Sequence, residues 1–276
     1  MSLKKSPIIS VVMSVYNGEK FILKAIESIK KQTYKNWELL IANDASTDST
    51  KEILKKIKIK KIRIINFKKN IGQHKAINYL LNISKGKYIA VLDSDDVASV
   101  NRLQTQLNEM NKDSGLTLVA SFFKKIDDKN KIIENVKLVY NQELFKKIFP
   151  VRNIICFSTI MFKKKVLKKV KFLSTYYDYS NDYFFLLKIF LRYKIKIINK
   201  YLVFYRLHLN QRSKASTLKL SIIQENIKLL MWSKKNLLIN KYNFLFFYKE
   251  LFKKYLKLYY FRFKNIFNKN FIKIYI

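Results

Sequence analysis

The sequence predicts an α/β fold with a mostly parallel sheet and helices on both faces. Strand-like and helix-like segments alternate over the first hundred residues. Hydrophobic residues make up 49% of the 276-residue chain, with only four glycines and two prolines, so a large core can form without long flexible linkers. Such alternation produces parallel strands, because each helix returns the chain to the starting edge of the sheet.

The individual elements follow from the spacing of apolar residues. Continuous apolar runs are typical of strands covered on both faces, and apolar residues three and four apart are typical of helices. Strands are expected at 8–15, 37–42, 62–67 and 88–92, and helices at 18–32, 46–58 and 72–84. Asp44 or Ser46 is expected to cap the second helix. Strands and short helices follow at 115–170, then a helix at 182–193, a strand at 194–198 and helices from 216 onward.

Polar side chains follow three of these strands at the point where each strand ends. They are Tyr16-Asn17 after the first strand, Asn43-Asp44 after the second and Asp93-Ser94-Asp95-Asp96 after the fourth. In parallel sheets, ligands bind beyond the carboxyl ends of the strands. The sequence therefore predicts one binding site built from these three segments.

The last segment, 93–96, holds three carboxylates within four residues of a strongly basic chain. Two carboxylates at positions i and i+2 can both bind one divalent ion, and Mg²⁺ and Mn²⁺ share their oxygen ligands with substrate phosphates. Such an ion neutralises a departing diphosphate. A solvated turn or a helix cap also favours aspartate, but the position at the end of a buried strand favours the metal.

Together these motifs resemble the family 2 glycosyltransferases with the GT-A fold. The resemblance covers about residues 8–110 and rests on the ordered segments 9–17 (ISVVMSVYN), 37–50 (WELLIANDASTDST), 70–78 (NIGQHKAIN) and 86–96 (GKYIAVLDSDD). It implies an inverting transfer of one sugar from a nucleotide sugar, a UDP-hexose or UDP-N-acetylhexosamine, with Mn²⁺ or Mg²⁺. The implied acceptor is a glycan or a lipid-linked glycan in the synthesis of cell-surface polysaccharide or lipooligosaccharide.

The resemblance also implies roles for the residues of the donor site. Asp44 would hydrogen-bond the base, in a pocket lined by Tyr16 and Asn17. Asp93 and Ser94 would contact the nucleotide sugar, and Asp93 is also a candidate metal ligand. Asp95 would bind the metal and the diphosphate.

Two later segments extend the resemblance. Ser180-Asn181-Asp182-Tyr183 is similar to the family's E-D motif and implies that Asp182 is the catalytic base, although position alone favours a helix cap. Asn181 stands where the family usually has an acidic residue, which leaves a transferase-like protein without catalysis as an alternative. Asp178 is a second candidate base.

The segment Tyr205-Arg206-Leu207-His208 resembles the family's Y-R-x-H motif. It implies that His208 completes the metal shell or contacts a phosphate. Arg206 and Lys75 are candidate phosphate contacts, although each could equally be a solvated basic side chain. His74 is expected to face solvent or the diphosphate without chemistry.

The formal net charge is +37, from 56 Lys and Arg against 19 Asp and Glu, and such a field attracts polyanions. A chain rich in Lys, Ile, Asn, Phe and Tyr also reflects A/T-rich codons. The alternative function is therefore a nucleic-acid or other polyanion-binding protein without catalysis. No nucleic-acid partner is expected, since no known binding motif is present. A dinucleotide-binding oxidoreductase is disfavoured because the first strand lacks a Gly-x-Gly-x-x-Gly turn.

The predicted organisation is a catalytic domain at 1–214, with a nucleotide-sugar-binding half at 1–110 and an acceptor-binding half at 111–214. A basic, aromatic helical extension at 215–276 is expected to contact an anionic membrane surface or to pack on the catalytic domain. No apolar run reaches about 18 residues, so no transmembrane helix is predicted. The single cysteine, Cys156, suits a reducing cytosol. The expected location is cytoplasmic and peripheral on the inner face of the cell membrane.

Overall fold

A computed structural model describes residues 8–172, 177–209, 211, 219–236, 239 and 243–274. The strands are β1 (Ile9–Val15), β2 (Trp37–Asn43), β3 (Ile62–Asn66), β4 (Tyr88–Val91), β5 (Val97–Ala98), β6 (Leu116–Ile126), β7 (Ile132–Val136), β8 (Met161–Lys163) and β9 (Lys194–Arg206). The helices are α1 (Ile22–Lys30), α2 (Thr50–Lys55), α3 (Gln73–Ile83), α4 (Arg102–Lys112), α5 (Gln142–Ile148), α6 (Asn181–Phe190), α7 (Lys219–Lys235) and α8 (Phe244–Ile274).

The strands of the described residues form one sheet in the order β3-β2-β1-β4-β8-β6-β9-β5, and β7 pairs with β6. Strands β1 to β4 pair in parallel, as do β6 and β9. β8 is antiparallel to both β4 and β6, and β5 is antiparallel to β9. The predicted α/β fold is confirmed, with the parallel part concentrated in the N-terminal half.

The register of the parallel strands aligns the polar segments at one edge. Every residue of β1, β2 and β4 is buried, as the continuous apolar runs predicted. Val15 pairs with Asn43, and Asn43 pairs with Asn66, so β1, β2 and β3 end side by side. The segments that follow β1, β2 and β4 consequently meet beyond the same edge.

The expected cap of the second helix is wrong. α2 begins at Thr50 rather than at residue 46, and Asp48 Oδ1 accepts a hydrogen bond from the Thr50 N–H at 3.0 Å. Asp44 instead accepts from the backbone of the loop before α3, and Ser46 Oγ accepts from the Asn17 N–H. The loop after β2 is thus held by contacts with distant segments, which delay the helix by one turn.

Strand β9 is longer than predicted, with 13 residues instead of the five expected at 194–198. β6 pairs with it from Lys194 to Arg206, and β5, which directly follows the acidic segment 93–96, pairs with Val203 and Phe204. The long ladder with β6 extends the strand to Arg206. This brings the Tyr205–His208 segment to the acidic segment.

The two C-terminal helices pack on each other and on the domain. Leu230 of α7, Phe247 of α8 and Val151 form a small apolar cluster. The ring of Trp232 contacts Phe184 of α6 edge-on, with the centroids 5.1 Å apart. The predicted boundary at 214/215 lies outside the described residues. Among the described helices, none combines the length and hydropathy needed to span a bilayer.

A close approach between β1 and the turn before β4 requires a glycine. Buried Glu38 accepts hydrogen bonds from Ser10 Oγ at 2.6 Å and from the Lys85 N–H at 2.7 Å. The Gly86 N–H donates to Ser10 Oγ at 2.8 Å. A Cβ on Gly86 would lie 2.5 Å from the backbone nitrogen of Ser10, so any side chain there collides with backbone.

We therefore predict that Gly86→Ala lowers the stability of the folded protein. Overpacking of this kind costs about 1–3 kcal/mol, which corresponds to a fall of roughly 2–10 °C in Tm. Gly115→Ala is the matched control, because its Cβ would meet only the Asp113 carboxylate at 3.2 Å in an exposed turn. Thermal unfolding of both variants checks this, and equal Tm values for the two would contradict it.

Candidate active site

A cavity of about 650 Å³ lies beyond the carboxyl ends of the parallel strands. Most of the site residues predicted from sequence line it: Tyr16, Asn17, Asp44, Asp93, Ser94, Asp95, Asp182 and His208. A larger concavity of about 970 Å³ lies at the opposite edge, beside Ile8 and Tyr88, with six lysines in its wall. The described residues lining that concavity include no Asp or Glu, so it offers neither a base nor carboxylate metal ligands.

Two backbone hydrogen bonds fix the Asp44 side chain at the wall of the cavity. Only 2% of it is exposed, and its two carboxylate oxygens accept hydrogen bonds from the Ile71 N–H at 2.8 Å and the Gly72 N–H at 2.9 Å. Gly72 has φ +87°, a conformation that favours glycine, and this lets the loop turn toward the carboxylate. Asp44 therefore fixes the loop before α3 and still borders the cavity.

At the rim of the cavity, hydrogen bonds connect the loop after β1 with the loop after β2. Asn17 Oδ1 accepts from the Thr47 N–H at 2.8 Å, and Asn17 Nδ2 donates to Thr47 Oγ1 at 3.2 Å. Asn17 has φ 53°, which places its side chain across this gap. Tyr16 is half exposed beside it and presents its ring at the mouth of the cavity. The Asn17 side chain thus fastens the two loops together.

The acidic segment carries closely spaced negative charge. Burial, then the neighbouring Asp95 carboxylate, and also the Asp182 carboxylate raise the pKa of Asp93 to about 7, even though Ser158 lowers it. The Asp93 N–H donates to Ser158 Oγ at 2.8 Å, which fixes the start of the segment. A cation in the cavity would relieve the repulsion between these carboxylates.

Asp96 does not face the cavity but is fully buried beneath it. Burial raises its pKa well above the ordinary value, as do the charges of Asp95 and Asp93. Its Oδ1 accepts from the Arg206 N–H at 2.8 Å. Arg102, also fully buried, donates from Nη2 to the carbonyl oxygens of Val91 and Ile160. Burial lowers the pKa of Arg102 to about 10, so Arg102 remains a cation, and its positive charge interacts with the Asp96 and Asp93 carboxylates.

The predicted phosphate contact of Arg206 does not fit the structure. The side chain is fully buried, and Nε donates to the Asp95 carbonyl at 2.8 Å. Nη1 donates to the Asp127 carbonyl at 2.7 Å, and Nη2 donates to Asn130 Oδ1 at 2.8 Å. All three guanidinium nitrogens donate hydrogen bonds to protein oxygens. Arg206 therefore holds the acidic segment in place and is not available to a substrate. Lys75 is exposed on α3 and does not line the cavity.

Asp95 and His208 form the pair best suited to a divalent ion. His208 Nε2 lies 3.0 Å from Asp95 Oδ2, and both side chains are partly exposed to the cavity. Adjacent ligands of an octahedral ion bound at about 2.1 Å are about 3 Å apart, so this spacing fits. Within the described part of the chain, no cluster of three or more His, Cys, Asp or Glu is arranged for a metal. Such an ion would take its remaining ligands from substrate phosphates.

Asp182 also lines the cavity, from the first turn of α6, and its charge is one of those that raise the pKa of Asp93. Its Oδ1 accepts from the Tyr183 N–H at 2.7 Å, which fixes the side chain at the helix start. Neighbouring Asn181 is buried and donates from Nδ2 to the Tyr177 carbonyl at 2.7 Å. A carboxylate could not donate there, so the departure from the family motif has a structural reason. Asp178 is exposed and does not line the cavity.

The sequence analysis missed two residues of α7. Ile222 lines the cavity, and Glu225, one turn later, is buried against the loop that leads to Asp182. The available signal was compositional. Glu225 and Glu250 are the two acidic residues of the basic segment 215–276, and an isolated carboxylate among lysines suggests a specific partner.

The sequence matches a known family and its members. The model described as Glycosyl transferase family 2 matches residues 10–171. An uncharacterised glycosyltransferase of Methanocaldococcus jannaschii, MJ1057, is 35% identical over 207 residues, which cover 73% of this chain and 71% of that protein. The Escherichia coli protein named UDP-Glc:alpha-D-GlcNAc-diphosphoundecaprenol beta-1,3-glucosyltransferase WfaP is 34% identical over 224 residues, 80% of this chain and 85% of WfaP.

Solved structures share the fold at low identity. Staphylococcus aureus TarS 1–349 in complex with UDP-GlcNAc superposes with a TM-score of 0.65 at 17% identity, over 88% of this chain and 70% of that one. The mannosyltransferase PcManGT of Pyrobaculum calidifontis, in complex with GDP-Man and Mn²⁺, gives 0.63 at 15% identity, over 92% and 70%. The predicted GT-A fold is confirmed. On its motifs, its fold and its relatives, this chain belongs to glycosyl transferase family 2 and is a glycosyltransferase, as the sequence predicted.

Proposed function

We propose that this glycosyltransferase moves one sugar from a UDP-sugar, a UDP-hexose or UDP-N-acetylhexosamine, to a glycan or lipid-linked acceptor by a single inverting displacement. The observation that carries the proposal is one cavity that joins buried Asp44, the Asp95–His208 pair and Asp182. The E. coli relative WfaP, named for UDP-Glc as donor and a diphosphoundecaprenol-linked acceptor, supports both substrate classes.

Recognition of the base is assigned to Asp44 and Tyr16. The two backbone amides fix the Asp44 carboxylate, and each oxygen retains a lone pair that can accept from an imide N–H of uracil. A base that cannot donate there would leave a buried acceptor unpaired, which costs binding energy. Tyr16, half exposed at the mouth of the cavity, presents an aromatic face for stacking.

Asp95 and His208 would hold the divalent ion, which when bound neutralises the departing diphosphate. An imidazole ligand favours Mn²⁺ over Mg²⁺, because Mg²⁺ takes oxygen ligands almost exclusively. The Phe21 ring lies 4.9 Å from the His208 ring and limits its rotation. The protein therefore presents one oxygen and one nitrogen ligand in a fixed orientation.

Asp182 is assigned as the base. The acceptor hydroxyl loses its proton to the Asp182 carboxylate while its oxygen forms a bond to the anomeric carbon. The bond from that carbon to the diphosphate oxygen breaks on the opposite face, so the anomeric configuration inverts. Asn181 does not argue against catalysis, because its amide already has a structural partner in the Tyr177 carbonyl.

We also propose that α8 contacts an anionic membrane surface, as on the inner face of the cell membrane. Large apolar side chains are exposed along it, among them Leu245 at 80%, Phe252 at 64% and Tyr259 at 64%, and lysines lie between them. Aromatic side chains mixed with lysine are typical of helices that lie in a lipid interface. This arrangement accounts for the basic charge without a nucleic-acid partner.

The first test of the donor site is Asp95→Asn. We expect wild-type protein to gain about 5–10 °C in Tm with saturating UDP and Mn²⁺, because a ligand of the folded state stabilises it by mass action. Asp95→Asn should lose this gain, since the amide is a poor metal ligand. Asp128→Asn, the same change at an exposed aspartate outside the cavity, should keep it. A gain that survives in Asp95→Asn would contradict the metal assignment.

The test of the base compares Asp182→Asn with Asp178→Asn. Loss of a general base should lower kcat of transfer by about 10²–10⁴-fold, because the amide cannot take the proton. The Tm gain with UDP and Mn²⁺ should remain, since donor contacts are intact. Asp178→Asn should transfer at close to the wild-type rate. The reverse ranking of the two variants would move the base to Asp178.

The membrane contact is tested by sedimentation with lipid vesicles. We expect the protein to bind vesicles that contain phosphatidylglycerol and to bind pure phosphatidylcholine vesicles weakly. The double variant Phe252→Ser/Tyr259→Ser should bind at least about tenfold more weakly, because it removes two apolar anchors. Tyr140→Ser/Leu144→Ser is the control, at exposed positions elsewhere. Equal binding by both double variants would rule out α8 as the contact.

A further inference from the structure

We propose that Glu225 of α7 is a positioning residue that holds the loop before α6, and with it Asp182, in the geometry needed for transfer. This inference rests on the proposed role of Asp182 as the base. Helix α7 then acts as part of the acceptor side of the site, although it belongs to the C-terminal segment.

The Glu225 carboxylate binds three consecutive backbone amides. Its Oε1 accepts from the Asp178 N–H at 2.8 Å, and its Oε2 accepts from the Ser180 N–H at 2.8 Å. The Tyr179 N–H lies between them, 3.1 Å from Oε2 and 3.3 Å from Oε1. Both oxygens are therefore used, and the backbone of the loop is fixed at three successive residues.

These hydrogen bonds stabilise the loop more than ordinary surface hydrogen bonds would. Glu225 is 8% exposed, and hydrogen bonds from amides to a carboxylate are shorter and about twice as strong as neutral ones. The carboxylate also lies at the N-terminus of the ten-residue helix α6, where the helix dipole favours negative charge. In a chain of net charge +37, this carboxylate is bound by backbone amides of the described residues rather than paired with a lysine.

The fixed loop leads directly into the candidate base. Ser180 precedes the first residue of α6, and its carbonyl accepts from the Phe184 N–H at 2.9 Å, so the helix starts from a fixed point. Asp182 follows in the first turn. Tyr179, one of the three bound residues, lines the cavity itself. A shift of this loop would move both Tyr179 and Asp182 relative to the donor.

The remaining contacts of α7 place Glu225 accurately. Ile222, Glu225, Leu229 and Trp232 recur at helical spacing and share one face of α7. Ile222 lines the cavity, Leu229 is fully buried, and Trp232 packs on Phe184 of α6. The apolar members of this face pack α7 on the domain, and Glu225 supplies the hydrogen bonds to the loop.

The experiment compares Glu225→Gln with two controls in the full chain. The glutamine keeps the size of the side chain but turns one acceptor into a donor that faces a backbone N–H. We expect kcat of transfer to fall by about 10–100-fold, while KM for the donor and the Tm gain with UDP and Mn²⁺ stay within about twofold of wild type. Gln224→Ala, at an exposed position on the same helix, should leave kcat unchanged.

Leu229→Ala separates positioning from docking. It weakens the packing of α7 without touching the carboxylate, so Tm should fall while kcat, measured well below Tm, is retained. A Glu225→Gln variant that is folded and has wild-type kcat would overturn the proposal. Equal losses of kcat in Leu229→Ala and Glu225→Gln would overturn it as well, because they would assign the effect to docking.

Amide hydrogen exchange tests the positioning role of Glu225 independently of the proposed transferase function. The N–H groups of residues 178–180 should exchange at least tenfold faster in Glu225→Gln than in wild type, and in Gln224→Ala they should not. If wild-type protein transfers no sugar from any UDP-sugar, the proposed function fails, whereas the exchange result still reports on the carboxylate. Unchanged exchange in Glu225→Gln would overturn the positioning role itself.

Discussion

Burial of the Asp96 carboxylate is the constraint on which the arrangement of the site depends. A charge removed from water must be compensated within the protein, or the chain would leave it unfolded or protonated. Compensation is only partial: the Arg206 N–H donates to Asp96 Oδ1, but burial and the charges of Asp95 and Asp93 still raise the pKa of Asp96 well above its ordinary value, which favours the protonated form. Asp96 Oδ2 and Arg102 Nη1 have no hydrogen-bond partner among the described atoms, and the nearby Asp96 charge partly offsets the effect of burial, which lowers the pKa of Arg102.

Compensation of Asp96 also decides which residues reach the cavity. The bond from the Arg206 N–H to Asp96 fixes the end of β9 beside the acidic segment, and the Arg206 guanidinium holds the Asp95 carbonyl. His208, two residues further along, therefore lies 3.0 Å from Asp95. The position of the Asp95–His208 pair thus follows from a network whose charged side chains, Asp96, Arg102 and Arg206, are fully buried. A strongly basic chain keeps a small acidic centre there, as the proposed divalent ion would require.

The loop that leads to Asp182 is held in a different way. Asp44 and Asp95 follow strand ends whose positions the sheet register fixes, whereas Asp182 stands on a helix that follows an irregular loop. Backbone amides in such a loop need partners, and Glu225 supplies them from a helix 45 residues further along the chain. Helix α7 therefore joins the C-terminal segment to the loop beside the cavity. Helix α8 packs on α7 through Phe247 and exposes other apolar side chains, among them Leu245 and Phe252.

The sequence alone determined the α/β fold, the strand ends at the cavity and the family, because apolar runs and ordered motifs are local patterns. It therefore predicted that Asp44 and Asp95 meet beyond one edge of the sheet, and the family resemblance added Asp182. Only the tertiary structure decided that Arg206 is buried, that Asp48 rather than Asp44 bonds to the start of α2, and that Glu225 holds the loop before α6. The roles of Arg206 and Glu225 depend on hydrogen bonds between segments far apart in the chain, and α2 begins late because Asp44 and Ser46 bond to such segments. Periodicity cannot encode such pairs, since it records only which face of an element is buried and not which distant group lies against it.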